Sequence, residues 1–187
     1  MVDTDLDPRV ERSRRVILEA ALEELGRVGY GALTIEGVAA RAGVGKSTIY
    51  RHWPGKLALV EDAFRTLKAE VTVPEHGTLR ERLTTYLTEV ATMAVQSTYS
   101  ACMPALIEAA ARDEQVREFH CKFTQERMGG LADTLRKAIG SGELPPSTNP
   151  ELLADALMGP IVMRRLMTSE PFPPDQVPAL VNQLIPA

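Results

Sequence analysis

The 187-residue sequence is defined first by what it lacks. Cysteine occurs only twice, at Cys102 and Cys121, with no Cys-x-x-Cys pair and no Cys/His cluster, so spacing offers neither a zinc site nor a disulfide framework. No metal and no cofactor are expected, and two buried, reduced thiols suit a cytoplasmic protein. No stretch approaches the ~18 uncharged apolar residues that a spanning helix requires, so no membrane partner is expected. The opening Met1-Val-Asp-Thr-Asp-Leu-Asp-Pro8 has acids but no apolar core, so no secretory signal is expected there. Nowhere does apolar–polar alternation persist as in a half-buried strand, and no internal repeat or low-complexity tract occurs.

What is present is ordinary in amount. Hydrophobic residues at 44% and charged residues at 25% are those of a soluble globular chain, long enough to bury a core as one large domain or two small ones. The formal net charge of −4 speaks against nucleic acid only if charge is spread evenly, and it is not. Residues 9–56 hold nine Lys/Arg against five Asp/Glu, a net of +4, while residues 57–187 hold twelve against seventeen. The chain is a modestly basic head on an acidic body.

Periodicity is helical nearly throughout. Ile17, Ala21, Leu25 and Val28 mark a first helix stopped by Gly29-Tyr30-Gly31. Thr34 offers an N-cap to a short helix through Ile35, Val38 and Ala39 that closes at Ala42-Gly43. A second short helix spans Lys46 to His52, and beyond the turn at Pro54-Gly55 a longer one runs from about Lys56 to Val71. Thr78-Leu-Arg-Glu81 is a capping box opening a helix to about Gln96. Helices follow over about 101–112, from Asp113 to about Ile139, from Asn149-Pro150 to about Thr168 with Pro160 inside it, and over about 175–185. The fold class is therefore all-α, with about nine helices. The domains expected are a DNA-binding head over 9–56 and a helical effector-binding and dimerisation body over 57–187.

Ala40-Arg-Ala-Gly-Val-Gly-Lys-Ser-Thr48 fits a relaxed phosphate-loop pattern, in which Lys46 would reach phosphates and Ser47 a magnesium ion. That chemistry needs a buried strand immediately before the loop, whereas Thr34 to Arg41 reads as a capped amphipathic helix. The other arithmetic here, a long helix and then two short ones joined by a tight Gly-containing turn, is that of a helix-turn-helix. Its second short helix enters the major groove with its first turn toward the base edges. In Lys46-Ser-Thr-Ile-Tyr-Arg-His52, donors surround one apolar residue, Ile49, that can pack inward. Lys46 can reach base acceptors or phosphate and Thr48 can offer hydroxyl or methyl, while Tyr50, His52 and Lys56 can donate to phosphate. Arg12, Arg14 and Arg15 add backbone charge. A solvated surface helix would share this composition, and a helical protein-interaction module remains open at this level.

Leu33-Thr-Ile-Glu-Gly-Val-Ala-Ala-Arg-Ala-Gly-Val-Gly-Lys-Ser-Thr-Ile-Tyr-Arg-His-Trp-Pro-Gly-Lys-Leu57 closely resembles the signature of the TetR family of transcriptional regulators, and Ser13 to Gly31 resembles that family's first helix. Gly142-Glu-Leu followed by Asn149-Pro-Glu-Leu-Leu-Ala-Asp-Ala-Leu-Met-Gly-Pro160 resembles a C-terminal domain type common among actinobacterial members. The resemblance implies a non-enzymatic, homodimeric repressor that binds a palindromic double-stranded DNA operator and is released by a small apolar or amphipathic effector. It would be cytoplasmic, and nucleoid-associated when bound. By position it places DNA contacts on Thr34, Lys46, Ser47, Thr48, Tyr50, Arg51, His52 and Lys56, to which the charge argument adds Arg14 and Arg15. Val38, Ala39, Ala42, Val44 and Ile49 match packing positions, and Trp53 stands where Phe is usual, as an aromatic wedge of the core. Gly37, in place of a commoner polar helix former, should cost about 0.5–1 kcal/mol.

All methionines after Met1 lie beyond the head, and with aromatics they can line a pocket for a bulky apolar ligand, although such residues at helical spacing usually fill core. Met93, Tyr99, Met103, Phe119, Phe123, Met128 and Met163 are the ligand-binding candidates. Leu152, Leu157, Ile161, Leu180 and Leu184 on the last two helices are the dimer-interface candidates, since a four-helix contact suits a two-fold regulator.

Overall fold

A computed structural model of the chain describes residues 8–66, 71–96, 98–168 and 170–185, apart from the side chains at positions 8, 9, 96, 99, 100 and 127. The described residues form nine α-helices and no strand: α1 (Pro8–Ala32), α2 (Ile35–Ala42), α3 (Lys46–His52), α4 (Lys56–Thr66), α5 (Leu79–Gln96), α6 (Thr98–Ala110), α7 (Glu114–Ser141), α8 (Pro150–Met167) and α9 (Val177–Leu184), with a 3-10 turn at Pro174–Gln176.

The expected punctuation is in place. Gly29 leaves helical geometry at φ 75°, so the regular part of α1 ends near Val28 as the Gly-Tyr-Gly stop predicts. Thr34 Oγ1 accepts from Gly37 N at 3.1 Å, and Asn149 Oδ1 from Leu152 N at 2.9 Å. The capping box is reciprocal, with Thr78 N donating to Glu81 Oε2 at 2.9 Å and Glu81 N to Thr78 Oγ1 at 3.3 Å. Each contact satisfies a backbone N–H that the first turn of a helix leaves orphaned. The predicted end of α4 falls on residues 67–70, outside the described ones, and Val71 is not helical.

Two compact units form. The first gathers the described residues of 1–68 with 101–120, and the second those of 69–100 with 121–187. The first unit thus includes all of α4 and parts of α6 and α7, and extends beyond the residue 56 at which the motif ends. Within it α1 packs on α2 and α4, and α2 on α3, around Ile17, Leu25, Val38, Ile49, Leu59 and Phe64, all fully buried. Each such side chain contributes about 1.5–3 kcal/mol of burial. The rings of Phe64 and Phe119 meet edge to face at 5.9 Å. In the second unit α5 packs against α8 and α9, burying Leu83, Leu87, Leu131, Leu135, Leu157 and Val181.

The cysteines differ from the sequence expectation of two buried thiols. Cys102 is buried, its Sγ donating to Leu22 O at 3.2 Å, and burial pushes its pKa up to about 11, but Cys121 is exposed on α7. Both are free.

One charged side chain, Glu24 on α1, is buried among the described residues. Arg27 Nη2 meets its Oε1 at 2.6 Å, and Arg41 Nε from α2 meets its Oε2 at 2.9 Å, so one carboxylate joins α1 to the first helix of the motif. Gly37 belongs to the same contact. A Cβ there would lie 3.2 Å from Glu24 Oε1 and 3.3 Å from Thr34 Oγ1, so the hydrogen at this position lets α2 approach a carboxylate held by two arginines. The helix-propensity cost of Gly37 is offset by that approach.

The Arg27 hydrogen bond, with Arg41 assisting against burial, lowers the Glu24 carboxyl from 4.5 to about 2. A depressed folded-state pKa gives stability that is complete above the unfolded value and is lost as pH falls toward the folded one. Thermal unfolding followed by circular dichroism should therefore show Tm falling between pH 4.5 and 2. Glu24→Gln should have a lower Tm at pH 7 and a shallower fall across that window, whereas an unchanged slope in the variant would remove Glu24 from the account.

Candidate nucleic-acid interface

The turn between α2 and α3 depends on two glycines for different reasons. Gly43 caps α2 in the left-handed region at φ 67°, its N–H directed to the Ala39 and Ala40 carbonyls, and Val44 N closes the turn on Ala39 O at 3.0 Å. Gly45 begins α3 in extended geometry with no side-chain cap, leaving the backbone accessible at the first turn. Ile49, fully buried, points α3 inward, and Trp53 N closes the helix on Ile49 O at 2.9 Å.

With Ile49 inward, the rest of α3 faces out. Lys46, Ser47, Tyr50, Arg51 and His52 are exposed, Tyr50 by 53%, and Thr48 is half-buried. No acidic residue lies on α3, whose last turn carries Arg51 and His52. Lys46 Nζ meets Glu36 Oε1 of α2 at 3.0 Å, and this bond lowers the Glu36 carboxyl below its ordinary range. Both side chains are more than half exposed, so the pair is worth little and yields to a phosphate or base acceptor. Val38 and Ala39 are buried and Ala42 and Val44 half-buried, as their packing positions require.

Other head residues named from sequence are engaged inside the protein. Thr34 accepts the α2 cap hydrogen bond. Arg14 Nη2 meets Asp62 Oδ2 of α4 at 2.5 Å. Lys56 Nζ donates to Tyr30 O at 3.0 Å and sits 4.4 Å above the Tyr30 ring. Arg15 is exposed and only loosely paired with Glu19, at 3.9 Å. Trp53 is buried, as a core wedge should be, but its indole Nε1 donates to Asp62 Oδ2 at 2.9 Å. Sequence reasoning missed Asp62 and Glu24, because an acid on an amphipathic helix carries no sign of what it will face.

The ligand-binding candidates are divided between the units. Met103 and buried Phe119 fall in the first, and Met93, Phe123, Met128 and Met163 in the second. Phe123 is buried and Met93, Met103 and Met128 half-buried, whereas Met163 is 53% exposed and the Tyr99 side chain lies outside the described residues. The dimer candidates need correction. Leu157 and Ile161 are buried in the second unit's own core, and Leu180 and Leu184 pack partly against it. Leu152 is exposed, and with Val162, Met163 and Met167 it gives α8 an outward apolar face. The 3.6-residue period separates these two faces, which a list of leucines does not. As for the phosphate-loop pattern, α2 occupies the place where its strand would have to be. No group of three or more His, Cys, Asp or Glu suited to a metal occurs among the described residues. No helix among them is long and apolar enough to cross a membrane.

Comparison with known proteins agrees with this geometry. Residues 17–63 match the family model described as bacterial regulatory proteins, tetR family, and residues 73–184 match that of a tetracyclin repressor-like C-terminal domain. The HTH-type transcriptional regulator YdeS of Bacillus subtilis (strain 168) is 33% identical over 165 residues, 87% of this chain and 83% of its own length. The DNA-binding transcriptional repressor TetR of Mycobacteroides abscessus is 27% identical over 185 residues, covering 95% of this chain and 94% of its own. The crystal structure of the TetR family transcription regulator SCO0332 superposes with a TM-score of 0.70 at 31% identity, covering 92% of this chain and 97% of that one.

Lys56 and Arg51 separate structural cations from exposed ones. Lys56→Ala should lower thermal stability by about 1–2 kcal/mol, through loss of a charged hydrogen bond and a cation–π contact, and leave the salt dependence of DNA binding unchanged. Arg51→Ala should leave Tm unchanged and flatten the slope of log K against log salt by about one unit if it meets a phosphate. Calorimetry and salt titration by fluorescence anisotropy read both.

Proposed function

The chain belongs to the tetR family of bacterial regulatory proteins, DNA-binding transcriptional regulators, and on that premise we propose that it is a repressor binding a palindromic operator as a homodimer. The observation that carries this reading is the outward face of α3, with five exposed donor side chains and no acid around a buried Ile49. Lys46 and Tyr50 lie where the first turns of a recognition helix meet base edges, with Ser47 and Thr48 between them, and Arg51, His52 and Arg15 supply phosphate contacts. Repression is supported by the Mycobacteroides abscessus relative, whose name states it.

Dimerisation is assigned to the outward face of α8. Leu152, Val162, Met163 and Met167 form an apolar stripe that a two-fold axis can bury against itself, and a palindromic operator offers its two half-sites on successive major grooves about 34–36 Å apart. The effector is a small apolar or amphipathic molecule held by the helical body, with Met93, Phe123 and Met128 of the second unit as the lining first in order. It releases DNA only through differential affinity for operator-competent and operator-incompetent states. The protein acts in the cytoplasm, at the nucleoid while repression holds.

Two variants of the recognition face and one of the dimer face test this together. Tyr50→Ala and Lys46→Ala should each weaken operator binding by about 10–100-fold, since one base contact of about 1–3 kcal/mol is lost, and both should elute as dimers. Met163→Glu should elute as a monomer and lose operator binding. Unchanged affinity in both recognition-face variants, or a monomeric wild type at micromolar concentration, would contradict the proposal.

A further inference from the structure

Asp62 lies on α4, yet its carboxylate engages two other elements. Oδ2 accepts from Trp53 Nε1 at 2.9 Å and from Arg14 Nη2 at 2.5 Å. Trp53 is the C-cap of α3, and Arg14 is on α1, so a single oxygen on α4 ties the end of α3 to α1. The Asp62 side chain is 16% exposed and the Trp53 ring is buried, so their bond is largely shielded from water, whereas the Arg14 side chain is 46% exposed. His52, the last residue of α3, places its ring 5.4 Å from that of Trp53.

Direction is what a seven-residue helix lacks by itself. Ile49 gives α3 one buried pivot near its middle, about which an apolar contact permits roll and swing. The Lys46–Glu36 pair at its first turn is exposed and weak. A directional hydrogen bond at the far end supplies a second fixed point, and the Trp53 indole N–H makes it; a phenyl ring at this position would be smaller and carry no donor. Lys56 bonds to Tyr30 at the start of α4, and Asp62 bonds to Arg14 farther along it, so the helix that presents Asp62 is itself fastened to α1 at two levels.

We infer that Asp62 is a positioning residue for operator recognition: through Trp53 it sets the direction of α3, and Arg14 acts by holding the Asp62 carboxylate instead of by touching phosphate. The inference rests on the operator-binding reading above. It assigns to a half-buried acid of α4 a control over how Lys46, Tyr50 and His52 are presented, and it withdraws Arg14 from the phosphate contacts.

Trp53 is the only tryptophan of the chain, so its emission reports this contact directly in the full-length protein. Asp62→Asn, Trp53→Phe, their double variant and Arg14→Gln should be compared for operator affinity, salt slope and, where Trp53 remains, emission maximum and lifetime. Trp53→Phe and Asp62→Asn should each weaken operator binding by about 5–20-fold, as loss of a shielded charge-assisted hydrogen bond implies. The double variant should be no weaker than the weaker single, because both act on the same bond, Trp53→Phe by removing the donor and Asp62→Asn by removing the charge of the acceptor. Asp62→Asn should shift the Trp53 emission, and Arg14→Gln should lower affinity with the salt slope unchanged. Additive losses, an unmoved emission, or a slope reduced by about one unit in Arg14→Gln would overturn the inference. If Asp62→Asn fails to fold, Arg14→Gln decides by its affinity and salt slope. Wild-type binding with every variant unchanged overturns the positioning role only, whereas a wild type that binds no operator overturns the operator reading and this role with it.

Discussion

A helix of seven residues makes too few internal hydrogen bonds to persist alone, so the conformation and direction of α3 depend on what its neighbours hold still. The structure meets this constraint with one apolar pivot and several polar ties. Ile49 is the pivot, and Trp53, at the end of the helix, reaches Asp62. The helix against which α3 leans, α2, is itself secured to α1 by Arg41 on Glu24, at a contact that a side chain at position 37 would crowd. The long helices thus serve the short one: α1 carries Glu24 and Arg14, and α4 carries Lys56 and Asp62.

That division of labour sorts the basic residues of the head more finely than their net charge does. Arg14, Arg27, Arg41 and Lys56 are bonded internally, three of them to acids and one to a carbonyl oxygen. Arg12, Arg15, Arg51 and the weakly paired Lys46 remain exposed for a polyanion. A small number of exposed cations on a chain of net charge −4 favours weak, readily screened nonspecific binding, so recognition must come from few contacts. A two-fold assembly is the economical way to use them twice, and the outward face of α8 has the apolar character such an assembly needs.

Much of this was legible in the sequence because it follows from local chemistry. Thr34, Gly43, Asn149 and the Thr78–Glu81 box cap helices wherever they occur, and a 3.6-residue period locates a buried face without reference to what covers it. The same locality made the motif from Leu33 to Leu57 recognisable. What could not be read was pairing across elements. Arg14 and Lys56 look like phosphate contacts beside a helix-turn-helix, and only the fold shows Asp62 and Tyr30 opposite them. Gly37 looks like a flaw in a helix until Glu24 is seen against it. Leu157 and Ile161 share a helix with Leu152 and Met163 but face the other way, and the sequence alone does not say which side a partner takes. Cys121 was misjudged for the same reason.

The proposed operator complex sets two α3 helices on DNA about a two-fold axis. Hydroxyl-radical footprinting of the full-length protein on its bound genomic fragment tests this most directly. The account predicts two protected half-sites of inverted sequence, centred about 10–10.5 base pairs apart or a multiple of that, with protection at both lost together in Tyr50→Ala. A single protected site without inverted symmetry, or a footprint unaltered by that substitution, would contradict it.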